Sequence, residues 1–251
     1  MARQTGIIKL KGTIGDISFY KSSDGHLARI KGGPDANRIA NDPAFQRTRE
    51  NGSEFGRAGK GGKVIRNAIR VLLQNAKDKK VVSRLTKTLV AITKTDPVNE
   101  RGSRTIQDGD MGLLSNFEFN TNGKLGATLF APFDVAFDRV TGDASLSLAP
   151  FAPTIRIAAP AGATHFKIVT GAAELDFPNE ASVFESDETG ILPYDAADTA
   201  AIDLTVTVTP NSLLPVIQVV GVEFYQEVNG QMYPLKNGAY NALMVATVDT
   251  V

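Results

Sequence analysis

Val216-Ile217-Gln218-Val219-Val220-Gly221-Val222-Glu223-Phe224-Tyr225-Gln226, followed by the turn Val228-Asn229-Gly230, is the stretch on which the fold depends. A run of β-favouring side chains ended by an Asn-Gly turn reads as a strand. Working back along the chain, similar runs predict strands at 125–130, 133–139, 145–148, 154–158, 164–170 and 202–209, and a last one at 242–248. Thr141-Gly142-Asp143 and Pro160-Ala161-Gly162 supply turns between them. Many short strands spaced by turns argue for an antiparallel β-sandwich, immunoglobulin-like or fibronectin-like, over 114–251. The Cys and Trp marks of a true immunoglobulin domain are absent.

Toward the N-terminus the period changes. Residues 6–11, 17–20 and 27–31 read as a β-meander, with Gly12-Thr13-Ile14-Gly15-Asp16 and Ser22-Ser23-Asp24-Gly25 as its turns. Lys9, Lys11, Lys21, Arg29 and Lys31 take its polar positions. A helix starts at Asn41-Asp42-Pro43, where Asp42 can cap and Pro43 suits the first turn. Val64, Ile65, Ala68, Ile69, Leu72, Leu73 and Ala76 then recur at helical spacing, with Lys60, Lys63, Arg66, Arg70 and Lys77 opposite them. Gly61-Gly62 either breaks this helix or serves close packing. Val81, Val82, Leu85, Leu89 and Ile92 suggest a second helix, ending before Asp96-Pro97. The fold class is α+β: a basic meander and helical region (1–94), a polar, Gly-rich linker (95–113) and an acidic sandwich (114–251).

Charge is sorted along the chain. Residues 1–95 hold 20 of the 27 Lys/Arg and 7 of the 27 Asp/Glu, so the formal net charge of zero hides two opposed halves. From 168 to 235 there is no Lys or Arg at all. Asymmetry of this kind reports on partners more than on fold. The candidate interaction surface is therefore Arg49, Arg57, Lys60, Lys63, Arg66, Arg70 and Lys77 on the basic side. On the acidic side it is Glu185, Asp187, Glu188, Asp195 and Asp198.

Chemical motifs are scarce. Gly56-Arg57-Ala58-Gly59-Lys60-Gly61-Gly62-Lys63 fails as a phosphate loop, because Arg57 stands where glycine is needed and Val64 where Ser or Thr would hold magnesium. Carboxylates at 185–198 are chemically suited to calcium, but their spacing fits no calcium loop. His26 and His165 are the only histidines, and neither GxSxG nor HExxH occurs. Asp134 and Asp138 read as the wet face of a strand. The absence of Cys excludes disulfides and thiolate metal sites. No catalytic residue, cofactor or metal site is therefore expected, and an enzyme is the least favoured class.

Two stretches carry a resemblance. One is Gly6-Ile7-Ile8-Lys9-Leu10-Lys11-Gly12-Thr13-Ile14-Gly15-Asp16 through Tyr20, with Gly25-His26-Leu27-Ala28-Arg29 and Asn41-Asp42-Pro43-Ala44-Phe45-Gln46-Arg47-Thr48-Arg49. The other is Val222 through Tyr233, with Asn237-Gly238-Ala239-Tyr240-Asn241. Together they resemble the two ends of an uncharacterised Bacteroidota family with a glycine-punctuated N-terminal hairpin, a helix and a C-terminal β domain. The resemblance implies that domain order and no chemistry.

The expectation is a non-enzymatic structural subunit that self-assembles as a filament, tube or virion-like shell, one copy's basic surface meeting the next copy's acidic one. The alternative is a nucleic-acid-binding protein using the basic helix. A third arrangement, in which the halves neutralise each other within one molecule, stays open. Ile7-Ile8 is broken by Lys9, so no signal peptide is expected, and no window is apolar enough to span a membrane. The chain is expected to be made in the cytoplasm, its final setting left open.

Overall fold

Four short antiparallel strands open the chain: β1 (Ala2–Arg3), β2 (Gly12–Ile14), β3 (Ile17–Ser22) and β4 (Gly25–Ile30), in the order β1-β4-β3-β2. The structure, a computed structural model, describes residues 2–30 and 32–250, so the expected meander position Lys31 lies outside the described residues. The hairpin predicted at Ser22-Ser23-Asp24-Gly25 is present, with Ser22 opposite Gly25. The strand predicted over 6–11 is not. The Gln4 side chain accepts from the Leu10 N–H at 2.8 Å and donates to the Leu10 carbonyl at 3.2 Å, closing the residues between them into a loop. Helix α1 (Ala36–Asn41) follows, then a 3-10 turn at Pro43–Phe45 whose Ala44 N–H is capped by Asp42.

Helix α2 (Gln46–Ala68) passes through Gly61-Gly62 unbroken. Of the two roles foreseen for these glycines, close packing is the one seen: a Cβ on Gly61 would lie 2.2 Å from Ile106 Cδ1. The interruption comes at Ile69, before α3 (Arg70–Asn75), and α4 (Val81–Thr95) completes the helical layer. The single basic face predicted from Lys60 to Lys77 is therefore divided among α2, α3 and the residues after α3. The predicted apolar face, Val64 to Ala76, is buried at all seven positions. In α4, Val82 is half exposed.

Residues 95–113 fold against this layer. Glu54 accepts the Gly102 N–H at 2.8 Å, Arg57 Nε donates to the Arg104 carbonyl at 2.7 Å, and Ile106 and Met111 are buried. The chain divides instead into two compact units, Met1–Arg49 and Glu50–Val251, with the division inside α2.

The rest of the second unit is mainly sheet. After short α5 (Leu125–Thr128) come β5 (Asp134–Asp138), β6 (Asp143–Leu148), short α6 (Pro153–Arg156), β7 (His165–Asp176), β8 (Ala181–Glu188), β9 (Leu192–Pro193) and β10 (Ile202–Thr207). Then follow β11 (Val216–Val228), β12 (Gln231–Pro234) and β13 (Ala242–Asp249). The strands expected at 125–130 and 154–158 are instead the single helical turns α5 and α6, with a Leu129–Ile157 bridge beside them. Strand β8 has no counterpart among the predicted strands.

Two antiparallel sheets result. In the larger, β7 and β11 pair along their length, with β12 and β13 on the outer edge of β11 and β8 and β9 on that of β7. The smaller runs β10-β6-β5. Ile168, Val220, Val222 and Phe224 share a core with Leu146 and Leu204 of the smaller sheet. On the other face Val169, Ala173, Ile217 and Val219 share one with Ile65, Leu73, Leu85 and Leu89 of the helices. Sandwiched on both faces, β11 needs apolar side chains in both directions, which is why 216–226 is nearly continuous rather than alternating. Gly221 sits where a Cβ would meet the Ala242 carbonyl at 2.6 Å. The fold is α+β, with paired antiparallel sheets and a helical layer in the second unit.

Candidate interaction surfaces

The predicted basic residues have different surroundings. Arg49 belongs to the first unit, where its guanidinium donates to the Ile39 carbonyl at 2.7 Å and the Asp42 carbonyl at 2.9 Å. Arg57 is held by the Arg104 and Gly102 carbonyls. Lys60 and Lys63 both face Glu180, at 3.1 and 3.7 Å. Glu180 sits on the turn between β7 and β8 with a left-handed φ of 51°, and the neighbouring Lys60 lowers its pKa from the usual carboxylate value. Arg66 is partly buried, and desolvation lowers its pKa. Arg70 and Lys77 are exposed. Glu180 is thus the acidic partner that the sequence reading left out of its candidate set, although it lies in the base-free stretch.

On the acidic side, a cleft of about 500 Å³ brings Glu188, Asp195 and Asp198 together and adds Asp203 of β10. Asp195 is oriented by accepting the Ala197 N–H at 2.9 Å. Glu185 and Asp187 of β8 do not line the cleft, and Asp187 accepts the Glu188 N–H. Among the described residues, no group of three carboxylates or imidazoles is arranged to hold a metal ion.

A third cluster, absent from the sequence reading, lies on the helix side of the larger sheet. Lys167 approaches Glu188 at 2.7 Å and Glu223 at 3.4 Å. Glu223 also accepts from the Tyr225 hydroxyl at 2.7 Å and from the Asn75 amide at 2.9 Å. Desolvation works to lower the Lys167 pKa, but the Glu188 and Glu223 carboxylates outweigh it and raise it. Burial, with the bond to Glu223, pushes Tyr225 up to about 12. Every one of these groups has a protein partner, so the cluster fastens α3 to the sheet. No sequence spacing links Asn75 to Glu223; only the topology does.

The first unit offers a different kind of surface. None of its described residues is buried. Ile7, Ile8, Leu10, Ile14, Ile17 and Ile30 are all exposed. Around them stand Lys9, Lys11, Lys21 and Arg29, the last stacked over Tyr20 at 5.6 Å. The short edge strand β2 has one side unpaired within its sheet.

The glycine-rich stretch 56–63 lies within α2, where its N–H groups serve the helix. His26 is in β4, and His165 Nδ1 meets the Thr164 hydroxyl at 2.9 Å. Among the described residues, no helix is long and apolar enough to cross a membrane. No protein-family model, curated protein or solved structure matches the chain.

Proposed function

We propose that this protein is a non-enzymatic structural subunit that builds a homopolymer, the N-terminal unit of one copy seating on the second unit of the next. The observation that carries this is the first unit's lack of any buried side chain among its described residues, together with six exposed Ile and Leu. A small sheet needs a covered apolar face to be stable, so the meander gains its core by docking. Each Ile or Leu fully covered contributes about 1.5–3 kcal/mol, whereas an exposed ion pair generally adds about 1 kcal/mol or less. The isoleucines therefore supply the affinity, and the basic residues around them choose an acidic surface and set orientation.

The nucleic-acid alternative draws less support from the helical layer. Lys60 and Lys63 already face Glu180, and Arg57 is bonded to backbone carbonyls. Sedimentation velocity of the full chain over a range of concentrations and salts tests the proposal. Mass should grow with concentration, and Ile7→Ser with Ile8→Ser should return it to the monomer. A monodisperse monomer under every condition would refute the assembly. Salt-sensitive micromolar binding of generic DNA or RNA by that monomer would favour the alternative.

A further inference from the structure

Helix α4 has more apolar surface than its fold uses. Val81, Leu85, Leu89 and Ile92 are buried in the core, and a second row lines an open groove of about 860 Å³ against α2: Val82, half exposed, with Val90, partly buried against the core, and Thr86, nearly covered. The α2 wall is Phe55 and Gly59, and Phe55 is 62% exposed. Lys79, Lys87 and Lys94 stand along the rim, none in an ion pair among the described residues. Beyond the groove, Arg101 is taken by Glu50 at 3.4 Å and Arg104 lies 3.9 Å from Glu54, so the three lysines are its free cations.

The glycines of α2 give a second, separate observation. Gly52, Gly56 and Gly59 recur at i, i+4 and i+7, and a Cβ built on any of them meets no atom within 4 Å. Unlike Gly61, these three are not required by any contact inside the chain. Glycine is poorly suited to a helix interior, and a row of it lets another helix come close.

We infer that the α2–α4 groove docks an acidic amphipathic helix of a partner protein. A groove lined by residues of two helices, with apolar side chains between them, suits a third helix, whose apolar face would cover Phe55, Val82 and Val90. Carboxylates on its flank would meet the lysine row. From Val82 to Lys94 is about 18 Å of helix, so the occupant engages over roughly three turns. The chain's own acid-rich segments, β8, β10 and the turns between them, are not helical. Its own long helices are basic. These facts favour a different protein over a second copy, and the inference stands apart from the self-assembly proposal.

The test is fluorescence anisotropy of the full chain with a labelled 18-residue synthetic helix carrying Leu at i, i+3, i+4 and i+7 and Glu elsewhere. Saturable binding is expected, weakened at least tenfold by Lys87→Glu with Lys94→Glu. Gly59→Leu should abolish binding while holding or raising Tm, because a side chain there fills the groove and favours helix, so unfolding would not explain the loss. Equal binding of the Lys-for-Glu version of the peptide would overturn the inference, as would indifference to all three substitutions. So would loss of the chain's own association in Gly59→Leu, which would make the occupant a second copy. Groove-dependent binding to phosphatidylserine vesicles without binding to the peptide would overturn it too.

Discussion

Asp96 holds the 95–113 segment closed where α4 ends. Its carboxylate accepts the Val98, Asn99 and Thr105 N–H groups and the Asn99 side-chain amide, at 2.7–3.0 Å. Burial alone would raise its pKa, but these bonds outweigh burial and hold it at about 2. Since the folded value lies below the unfolded 3.8, the charge stabilises the protein fully above pH 3.8, and that contribution is lost as pH falls through about 2. Asp96→Ala should therefore cost about 1–3 kcal/mol at pH 7 in urea denaturation, by leaving partly buried donors unpaired. The deficit should shrink as pH falls from 4 to 2; a deficit of constant size would assign the effect to shape rather than charge. Glu223 gives a second residue-scale case. Its side chain is 4% exposed and that of Lys167 12%. Glu223→Ala should cost about 2–3 kcal/mol, because Lys167, Tyr225 and Asn75 each lose a charged partner, although Lys167 retains Glu188. Adding Lys167→Met should recover much of the loss in a double-mutant cycle, since the apolar side chain has no charge to leave unpaired.

Helix α2 carries two kinds of glycine, and they should respond oppositely to the same substitution. Gly61→Ala pushes a methyl group into Ile106 and should destabilise by about 1–3 kcal/mol. Gly52→Ala and Gly56→Ala enter open space and should each stabilise by up to about 1 kcal/mol in chemical denaturation. Destabilisation by the latter two would mean that their face is already occupied in solution. Elements were legible in the sequence where their pattern was long and burial one-sided, as in the Val64–Ala76 apolar face. Short elements were not: α5 and α6 are single turns, too brief to show a period, and Leu129 and Ile157 beside them read as strand. Strand β8 was missed because it lies at the larger sheet's edge and is mostly exposed, so Ser182, Glu185 and Ser186 interrupt any apolar alternation. The same limit applied to the candidate surface. The base-free stretch pointed to Glu188, Asp195 and Asp198, which do share a cleft, but pairings such as Glu180 with Lys60 follow from chain path alone.

At the scale of the whole molecule, the charge asymmetry narrows when the chain is divided where its structure divides. Residues 1–49 carry nine Lys/Arg and four Asp/Glu, and residues 50–251 carry 18 and 23. The helices, basic in sequence, share a unit with the acidic sheet and partly neutralise it through Glu180. What remains is a unit of net +5 and a unit of net −5 on one chain. Under the proposed assembly, a copy without its meander can accept a neighbour but offer none. Among the described residues, every cluster of buried apolar residues lies between Ala58 and Val245, so a chain beginning at Asp42 should keep its core and its cooperative unfolding. Mixed with the full chain before assembly, it should act as a terminator, because a heterologous head-to-tail contact propagates only while each added copy brings both surfaces. Mean polymer mass in sedimentation should then fall as the truncated fraction rises, with one truncated chain per shortened polymer. Symmetric dimers would not show that stoichiometry, because pairing through two copies of the same meander would leave the truncated chain wholly outside the assembly.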